Sequence, residues 1–417
     1  MINDFDTSFL FIVNSFPPIN NQNSIRALEL SKRLIKEKIF PIILTRRVVR
    51  KEPKDDDLID EIPQNLEVIK TRVIELKRKY SLRTLFFKII MHFFYLFYYI
   101  HWIPFGYLEG KKILKNSKNI KFLYSTGPPH YSHIITYLLY RKFKIPYIIE
   151  YRDPWNYNPY GVRKRRNIDN IISLKIEQKI LKSAHVIIAI SNPLKRLIIK
   201  SSPSVKQNKV YVIENGLNLK NINESVFNNN KEITFTFIGK LYGQRNINPL
   251  LKIIALLKTK GEFKNVNFLF KIFGKYNHEY LKKQIKSLNI QDLVYLGPFL
   301  SRNQLLEEIN KCYLTVHIGE NLNYPTIGFK VWDYLSCRKK ILYLGLEDSY
   351  TSNFLKKNEF GIVIPINDIN RGKQVFKKLL YEIKNREFPN IIAKEKLETF
   401  SWDIKAKKLI QCIQEEF

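Results

Sequence analysis

Residues 147–155 have the sequence YIIEYRDPW. A nearly continuous apolar run leads to the charged pair Arg152 and Asp153, and Pro154 then ends the extended segment. Strands without strict polar alternation are typical of a parallel sheet covered by helices on both faces. The stretch therefore predicts a buried strand that delivers two charged side chains to the carboxyl edge of a parallel sheet.

Similar apolar runs recur along the chain, separated by amphipathic segments such as residues 24–36. In the first half, strands are predicted at 9–13, 40–45, 66–72, 122–126, 147–151, 186–191 and 210–214. In the second half, they are predicted at 233–239, 268–274, 293–297, 314–319, 341–345 and 362–366. Alternation of strands with helices predicts an α/β fold with a doubly wound parallel sheet in each half.

A polar, Asn-rich segment at residues 221–230 is interpreted as a linker between two Rossmann-like domains. The predicted boundaries are 1–220 for the N-terminal domain and 221–398 for the C-terminal domain, with 399–417 as a terminal helix. Helix signals are clear in the second half, where Pro249 begins a helix that Gly261 ends, and Ser301 with Gln304 forms a capping box. We expect ligands to bind in a central cleft between the domains, at the carboxyl ends of the strands.

The net charge of +32 comes from 70 basic and 38 acidic side chains and favours a negatively charged partner. Nucleic acid is not the expected partner, because the lysines are spread along the chain and no recognised nucleic-acid motif occurs. The three cysteines lack the spacing of a disulfide framework or a zinc site. The short apolar run at 9–13 lacks a basic region before it and is interpreted as a strand, so a cytoplasmic location is expected.

Residues 84–107, TLFFKIIMHFFYLFYYIHWIPFGY, are strongly apolar and aromatic, and basic residues precede them. Charged and histidine side chains interrupt the run, which argues against a transmembrane span. We predict an interfacial helix that contacts an anionic membrane peripherally on its inner face, with Trp102 among the aromatic side chains at the headgroup level. The alternative is a pair of helices packed on the core of the first domain.

In the first half, candidate site residues follow three predicted strands. The loop after the first strand offers Asn20, Asn21, Asn23, Ser24 and Arg26 at a helix start, which suits an anion, although an ordinary surface loop has the same composition. His130 and His133 in STGPPHYSH suit acid–base chemistry or hydrogen bonding, or they merely cap and pack, and without a nearby carboxylate no metal is expected. Asp153 suits a sugar hydroxyl or a base, and Arg152 suits a phosphate, unless the two only fix the turn.

In the second half, Gly239, Lys240 and Arg245 lie between a predicted strand and the helix that begins at Asn248. Glycine allows close backbone approach, and the two cations suit a diphosphate, although a solvated basic turn is the alternative. Further along, Lys330 and Asp333 fall on one helical face and suit a phosphate and a ribose, or they form a surface ion pair. Neither a GxGxxG fingerprint nor a Walker motif is present.

In this order, the motifs resemble the bacterial family 4 glycosyltransferases, especially the branch that builds surface polysaccharides. The matching stretches are NSFPP, IRALELSKRL, STGPPHYSH, IPYIIEYRDPW, SAHVIIAIS, KVYVIENGLN, FIGKLYG, YLGPF, GFKVWDYLSCRKKILY and FSW. The resemblance implies a GT-B-like fold and a retaining, metal-independent enzyme without a cofactor. It also implies a nucleotide-sugar donor and a terminal helix that crosses back to the first domain. With the two α/β halves, the cation pair and the apolar segment at 84–107, we expect transfer of a hexosyl or N-acetylhexosaminyl group from a UDP- or GDP-sugar to a lipid-linked or growing glycan.

By the same resemblance, Lys240 and Arg245 correspond to the diphosphate-binding pair, and Asp333 to the carboxylate that holds the donor ribose. The chain departs from the family pattern at three points. Pro325 occupies the position of the first Glu of the E-x7-E motif, residues 20–24 replace a Gly-Gly loop, and Arg152 replaces a histidine. The alternatives are a nucleotide-sugar epimerase or hydrolase, a non-catalytic or catalytically weakened relative, and a nucleic-acid-binding protein.

Overall fold

The computed structural model describes residues 7–49, 52–73, 102–117, 119–156, 167–219, 232–241, 245–264, 266–319 and 323–417. The chain forms two compact units. The first unit comprises Met1–Asn215 and Trp402–Phe417, and the second comprises Gly216–Ser401. The linker predicted at 221–230 lies outside the described residues.

The first unit contains a parallel sheet with the strand order β3-β2-β1-β4-β5-β6-β7. Its described strands are β1 Thr7–Ile12, β2 Ile39–Arg46, β3 Val68–Thr71, β4 Ile120–Gly127, β5 Tyr147–Tyr151, β6 Val186–Ala189 and β7 Val210–Val212. Its described helices are α1 Gln22–Lys36, α2 Asp57–Asp60, α3 Ile103–Asn116, α4 Tyr131–Phe143, α5 Asn167–Ser183 and α6 Asn192–Ser201, and a 3₁₀ turn spans Gln207–Lys209. The direction of strand addition reverses between β1 and β4.

The second unit contains a parallel sheet with the order β10-β9-β8-β11-β12-β13. Its described strands are β8 Ile233–Lys240, β9 Phe268–Lys275, β10 Val294–Leu296, β11 Leu314–Ile318, β12 Ile341–Gly345 and β13 Gly361–Pro365. Its described helices are α7 Asn248–Thr259, α8 His278–Ser287, α9 Arg302–Lys311, α10 Phe329–Ser336, α11 Tyr350–Lys357, α12 Ile369–Lys384 and α13 Lys394–Glu398. Here the reversal lies between β8 and β11, so both units have the Rossmann strand order.

Every strand predicted from the sequence is present, which confirms two doubly wound parallel sheets. The helix signals are also confirmed. Pro249 lies in the first turn of α7, and Gly261 follows its end with φ +71°. Ser301 and Gln304 form the predicted capping box at the start of α9.

The last helix, α14 Trp402–Glu416, packs on the sheet of the first unit. Its apolar side chains, which include Trp402, Leu409 and Ile413, share a buried cluster with Phe9 and Phe122. Leu217 in the second unit forms an isolated parallel bridge with Ser401, immediately before α14. The chain therefore leaves the first unit after Asn215 and rejoins it at Trp402.

Most of the apolar segment at 84–107 lies outside the described residues, so the predicted interfacial helix stays a prediction. The described end of this segment, residues 102–107, contradicts one part of that prediction. Trp102 is fully buried against α4, because its indole fills the space left by the missing side chain of Gly106. Its Nε1 donates to Thr71 Oγ1 at 2.6 Å. Trp102 is therefore a core residue and not a headgroup contact. Among the described helices, none combines the length and the apolar character needed to cross a membrane.

Candidate functional site

In doubly wound sheets, ligands bind beyond the carboxyl ends of the strands where strand order reverses. In the first unit, this position is formed by the loops after β1 and β4, with the end of β5 beside them. In the second unit, it is formed by the loops after β8 and β11. These two positions are the first-unit edge and the second-unit edge.

Arg152 begins the loop after β5, and its backbone N–H donates to Gly127 O at 2.8 Å. Its side chain is buried: Nε donates to Thr126 Oγ1 at 3.0 Å, and Nη2 donates to the carbonyl oxygen of Pro128. Burial lowers the pKa of Arg152 to about 10, against the opposing effect of Glu150 and Asp153. Arg152 thus lies at the first-unit edge, as predicted, but two of its nitrogens bond within its own unit.

His130 and His133 lie together at the start of α4, with ring centroids 5.4 Å apart. The His130 ring stacks on Trp155 at 4.9 Å, while His133 Nδ1 lies 2.8 Å from Ser125 Oγ. Gly127 makes this arrangement possible, because a Cβ there would stand 2.6 Å from His130 Nδ1 and 2.7 Å from His133 Nε2. Burial lowers the pKa of His133 to about 3, so its imidazole is neutral at pH 7.

The loop before α1 differs from the predicted anion site. Asn21 caps α1 by accepting from Ser24 N at 3.0 Å, Asn20 donates to Asp55 at 3.1 Å, and Asn23 donates to Pro128 O at 2.8 Å. The expectation that Arg26 adds a fixed positive charge for an anion is wrong, because its guanidinium bonds within the unit. Arg26 is buried and paired with Glu150 at 2.7 Å, because the first turn of α1 faces the core.

At the second-unit edge, β8 and β9 end in register with Gly239 opposite Gly274 and Lys240 opposite Lys275. Both lysines are exposed, and Lys275 Nζ lies 5.3 Å from the centroid of the Phe299 ring. Gly239, Lys240 and Lys275 therefore occupy the carboxyl edge of one sheet. Lys275 was not predicted as a site residue, although a Gly-Lys pair occurs at the end of both strands in the sequence.

His317 near the end of β11 was also missed, since it lies inside an apolar strand. Its ring stacks on Tyr343 at 5.8 Å and faces Gly328, where a Cβ would stand 3.2 Å away. Burial, together with the positive charges of Arg245 and Lys330, lowers the pKa of His317 to about 3. Arg245 lies between β8 and α7, and Lys330 lies in the first turn of α10, so both charges act on this ring from the second-unit edge.

Asp333 is buried on α10, and its Oδ2 lies 3.3 Å from Lys330 Nζ. The neighbouring Tyr334 hydroxyl lies 3.3 Å from the carbonyl oxygens of Ile238 and Val316, near the ends of β8 and β11. These contacts hold α10 at the second-unit edge. The structure therefore brings Lys330, Asp333 and Arg245 to the position where the strand order reverses.

Comparison with protein families assigns both halves of the chain. The model described as Glycosyltransferase Family 4 matches residues 24–221, and the model described as Glycosyl transferases group 1 matches residues 219–395. Together they cover nearly the whole described chain. This protein belongs to the family 4 glycosyltransferases. Among curated proteins, none matches its sequence.

Solved structures agree with the GT-B fold of this glycosyltransferase. Sucrose-phosphate synthase from Thermosynechococcus elongatus aligns with a TM-score of 0.69 and 13% identity over 98% of each chain. A glycosyltransferase from Rickettsia africae aligns with a TM-score of 0.64 and 14% identity, also over 98% of each chain. A variant of TarM from S. aureus aligns with a TM-score of 0.62 and 11% identity over 97% of this chain and 99% of TarM. That structure holds fondaparinux, alpha-GlcNAc-glycerol and UDP.

The described part of this glycosyltransferase contains no group of three or more His, Cys, Asp or Glu residues that could hold a metal ion. Pro325, at the position of the first Glu of the family motif, is buried beside Thr326. The edge of the second unit instead presents the cations Lys240, Arg245 and Lys330. An edge with this charge suits a phosphorylated ligand.

Proposed function

We propose that the enzyme transfers a hexosyl or N-acetylhexosaminyl group from a UDP- or GDP-sugar to a lipid-linked or growing glycan. The observation that carries this proposal is that Lys240, Arg245 and Lys330 all lie at the second-unit edge, where strand order reverses. A nucleoside diphosphate leaving group is an anion with two phosphates. Cations fixed beside it stabilise the charge that develops as the glycosidic bond breaks.

In this proposal, Arg245 binds the diphosphate with its planar guanidinium, and Lys240 and Lys330 act as point charges. Gly239 lets the backbone approach the phosphate closely. Asp333 accepts hydrogen bonds from the ribose hydroxyls, and its contact with Lys330 at 3.3 Å orients the carboxylate. The UDP in the aligned TarM structure supports a uridine nucleotide as the first donor to test.

Transfer with retention and without a metal fits this set of residues. The bond from the anomeric carbon to the diphosphate oxygen breaks, and the acceptor oxygen forms its bond on the same face of the sugar. The acceptor proton passes to the released diphosphate oxygen, so no second carboxylate is required. Arg152, Asp153 and His130 then contact the sugar or the acceptor at the first-unit edge, and the neutral, buried His133 lies behind them as a hydrogen-bonding group.

A membrane-linked acceptor is supported by the surface of α3. Leu108 is 60% exposed, and Lys111, Lys112 and Lys115 follow at helical spacings that place them on the same side. An apolar side chain flanked by lysines suits the headgroup region of an anionic bilayer. The apolar residues 84–101 immediately precede this helix in sequence.

A two-stage experiment tests the proposal. The first stage measures thermal stabilisation of the wild type by UDP, GDP, UDP-glucose, UDP-N-acetylglucosamine and GDP-mannose. The second measures donor turnover of Lys240→Ala and Arg245→Ala with the stabilising sugar nucleotide. The matched control is Lys286→Ala, which removes an exposed lysine of α8 and changes the net charge equally. Turnover should fall at least about tenfold in the first two variants and stay unchanged in the control.

Unchanged turnover in Lys240→Ala and Arg245→Ala would contradict the assignment of the diphosphate site. NMR of the donor incubated without acceptor separates transfer from the alternatives. Rapid conversion of the donor to an epimer or to a free sugar would instead favour an epimerase or hydrolase. The absence of stabilisation by any nucleotide would favour a non-catalytic relative.

A further inference from the structure

Arg26 lies in the first turn of α1, yet its side chain is only 2% exposed, and that of Glu150 only 1%. Nε lies 3.0 Å from both carboxylate oxygens of Glu150, and Nη2 donates to Oε2 at 2.7 Å. The remaining N–H groups donate to Ile213 O and Glu214 O at 3.0 Å and to Asn215 Oδ1 at 3.1 Å. All five N–H groups of the guanidinium are therefore used.

The acceptors beyond Glu150 share one property. Residues 213–215 are the last residues of the first unit before the chain passes to the second. Trp402 is the first residue after the chain returns, and its ring centroid lies 5.5 Å from Arg26 Cζ. One guanidinium thus contacts the segment where the chain leaves the first unit, residues 213–215, and the residue where it returns, Trp402.

On its other side, Glu150 connects to the first-unit edge. Its carboxylate accepts from Tyr124 and Thr126 hydroxyls, each at 2.7 Å. The same Thr126 oxygen accepts from Arg152 Nε at 3.0 Å, and Arg152 Nη2 donates to Pro128 O, two residues before His130. A continuous series of hydrogen bonds therefore runs from the chain crossings to the loop that carries the candidate site residues.

A buried ion pair is expensive to desolvate, and packed apolar side chains of similar volume often stabilise a core as well. Such a pair does, however, restrict direction, because a planar guanidinium and a carboxylate form bidentate hydrogen bonds in only a few geometries. The Thr126 hydroxyl is fixed in the same way, since it donates its proton to Glu150 and can only accept from Arg152. The hydrogen bonds of this series therefore fix the positions of the side chains relative to one another.

We propose that Arg26, Glu150 and Thr126 are positioning residues, which set the loop bearing Arg152 and His130 relative to the two chain crossings. This inference rests on the proposed function, because that function assigns substrate contacts to Arg152 and His130. Displacing the loop then lowers the rate of transfer. It leaves nucleotide affinity unchanged, since the proposed nucleotide residues lie in the second unit.

Thr126→Val tests the link directly, because it removes the hydroxyl and keeps the Arg26–Glu150 pair. Thr126→Ser is the conservative variant that restores the hydroxyl. With saturating donor and acceptor, we expect kcat to fall at least about tenfold in Thr126→Val and less than about threefold in Thr126→Ser. The Kd of the donor nucleotide, measured by calorimetry, should change by less than about twofold in both variants.

A second pair of variants covers the case in which Thr126→Val does not fold. Arg26→Lys keeps the charge but loses the planar fork, whereas Arg33→Lys changes a residue of the same helix that pairs with Asp403 of α14 at 3.0 Å. Arg26→Lys should lower kcat at least about tenfold at a temperature where it is folded, and Arg33→Lys should keep the wild-type kcat. The second result is expected because Arg33 has no bond to Glu150 or Thr126 among the described contacts.

Equal kcat values in Thr126→Val and Thr126→Ser, or in Arg26→Lys and Arg33→Lys, would overturn the positioning role. A loss of kcat that only follows the loss of melting temperature in all variants would do the same. The proposed function fails separately, when the wild type neither binds a nucleotide nor turns over a sugar nucleotide. If the wild type transfers sugar and the paired variants agree, only the positioning role is lost.

Discussion

The carbonyl oxygen of Gly239 lies against the α-carbon of Gly274, at paired positions near the ends of β8 and β9. A Cβ on Gly274 would overlap this oxygen. Gly274 also has φ +129°, a backbone conformation that residues with a Cβ rarely adopt. Each glycine is followed by an exposed lysine. The close backbone approach thus brings Lys240 and Lys275 to the same edge of the sheet.

Gly274→Ala should lower the free energy of unfolding by about 3 kcal/mol or more, since both the φ angle and the overlap oppose the new Cβ. Urea unfolding followed by circular dichroism measures this change. The approach of the two strands should also loosen, so the affinity for the donor nucleotide should fall at the same time.

Gly261→Ala is the matched control for backbone strain. Gly261 also has a positive φ, of +71°, but a Cβ there would meet only the flexible side chain of Lys264, at 3.4 Å. The expected cost is about 1 kcal/mol, with no change in nucleotide affinity. Equal losses of stability in the two variants would show that the overlap with Gly239 has no effect of its own.

Asp333→Asn should weaken nucleotide binding about tenfold, because a neutral amide is a poorer acceptor for ribose hydroxyls than a carboxylate. The measurement is calorimetric titration of UDP or GDP, whichever the wild type binds. Inorganic pyrophosphate provides the control ligand, and its affinity should not fall, because it has no ribose and Lys330 remains. An equal loss for pyrophosphate and nucleotide would place Asp333 near the phosphates instead.

The fold could be predicted from the sequence because each strand of a covered parallel sheet is a local apolar run. Tyr147–Tyr151 and Ile341–Gly345 match the predicted bounds, and α9 begins at the predicted capping box. These signals depend on residues a few positions apart. The carboxyl edges of the strands followed from the same pattern, which is why Lys240, Arg152 and His130 were correctly placed at strand ends.

The polar interior could not be predicted in this way. Arg26 and Glu150 are separated by 124 positions, and no spacing rule joins them. Arg26 was interpreted as a fixed charge for an anion, and Trp102 as a contact with lipid headgroups. Both interpretations failed because tertiary packing decides which side chains face the core. His317 was hidden by its apolar neighbours in β11.

Trp102→Phe should lower the free energy of unfolding by about 1–2 kcal/mol, because it removes the N–H that bonds to Thr71 Oγ1 in the core. Binding to vesicles that contain anionic lipid should be unchanged, as measured by flotation. Leu108→Glu provides the opposite case, since Leu108 is exposed on α3: it should weaken flotation and leave stability nearly unchanged. Weaker flotation by Trp102→Phe at full stability would contradict the core assignment.

His133 makes the first unit sensitive to acid. Burial lowers its pKa from 6.5 to about 3, so between these pH values the unfolded chain binds a proton at this ring and the folded protein does not. Stability is therefore lost as the pH falls through that window, by about 2–3 kcal/mol at pH 4.5 relative to pH 7.5 from this ring alone. Urea unfolding of the wild type at the two pH values measures the total loss.

His133→Gln should reduce the loss of stability between pH 7.5 and 4.5, because glutamine does not titrate, even though the variant starts from a lower stability at pH 7.5. Ser125→Ala separates the hydrogen bond from the titration, since it removes the partner of Nδ1 and keeps the ring. That variant should be less stable than the wild type at both pH values and keep its steep loss in acid. If His133→Gln loses as much stability on acidification as Ser125→Ala does, the acid sensitivity originates in other groups, and a neutral buried His133 has no part in it.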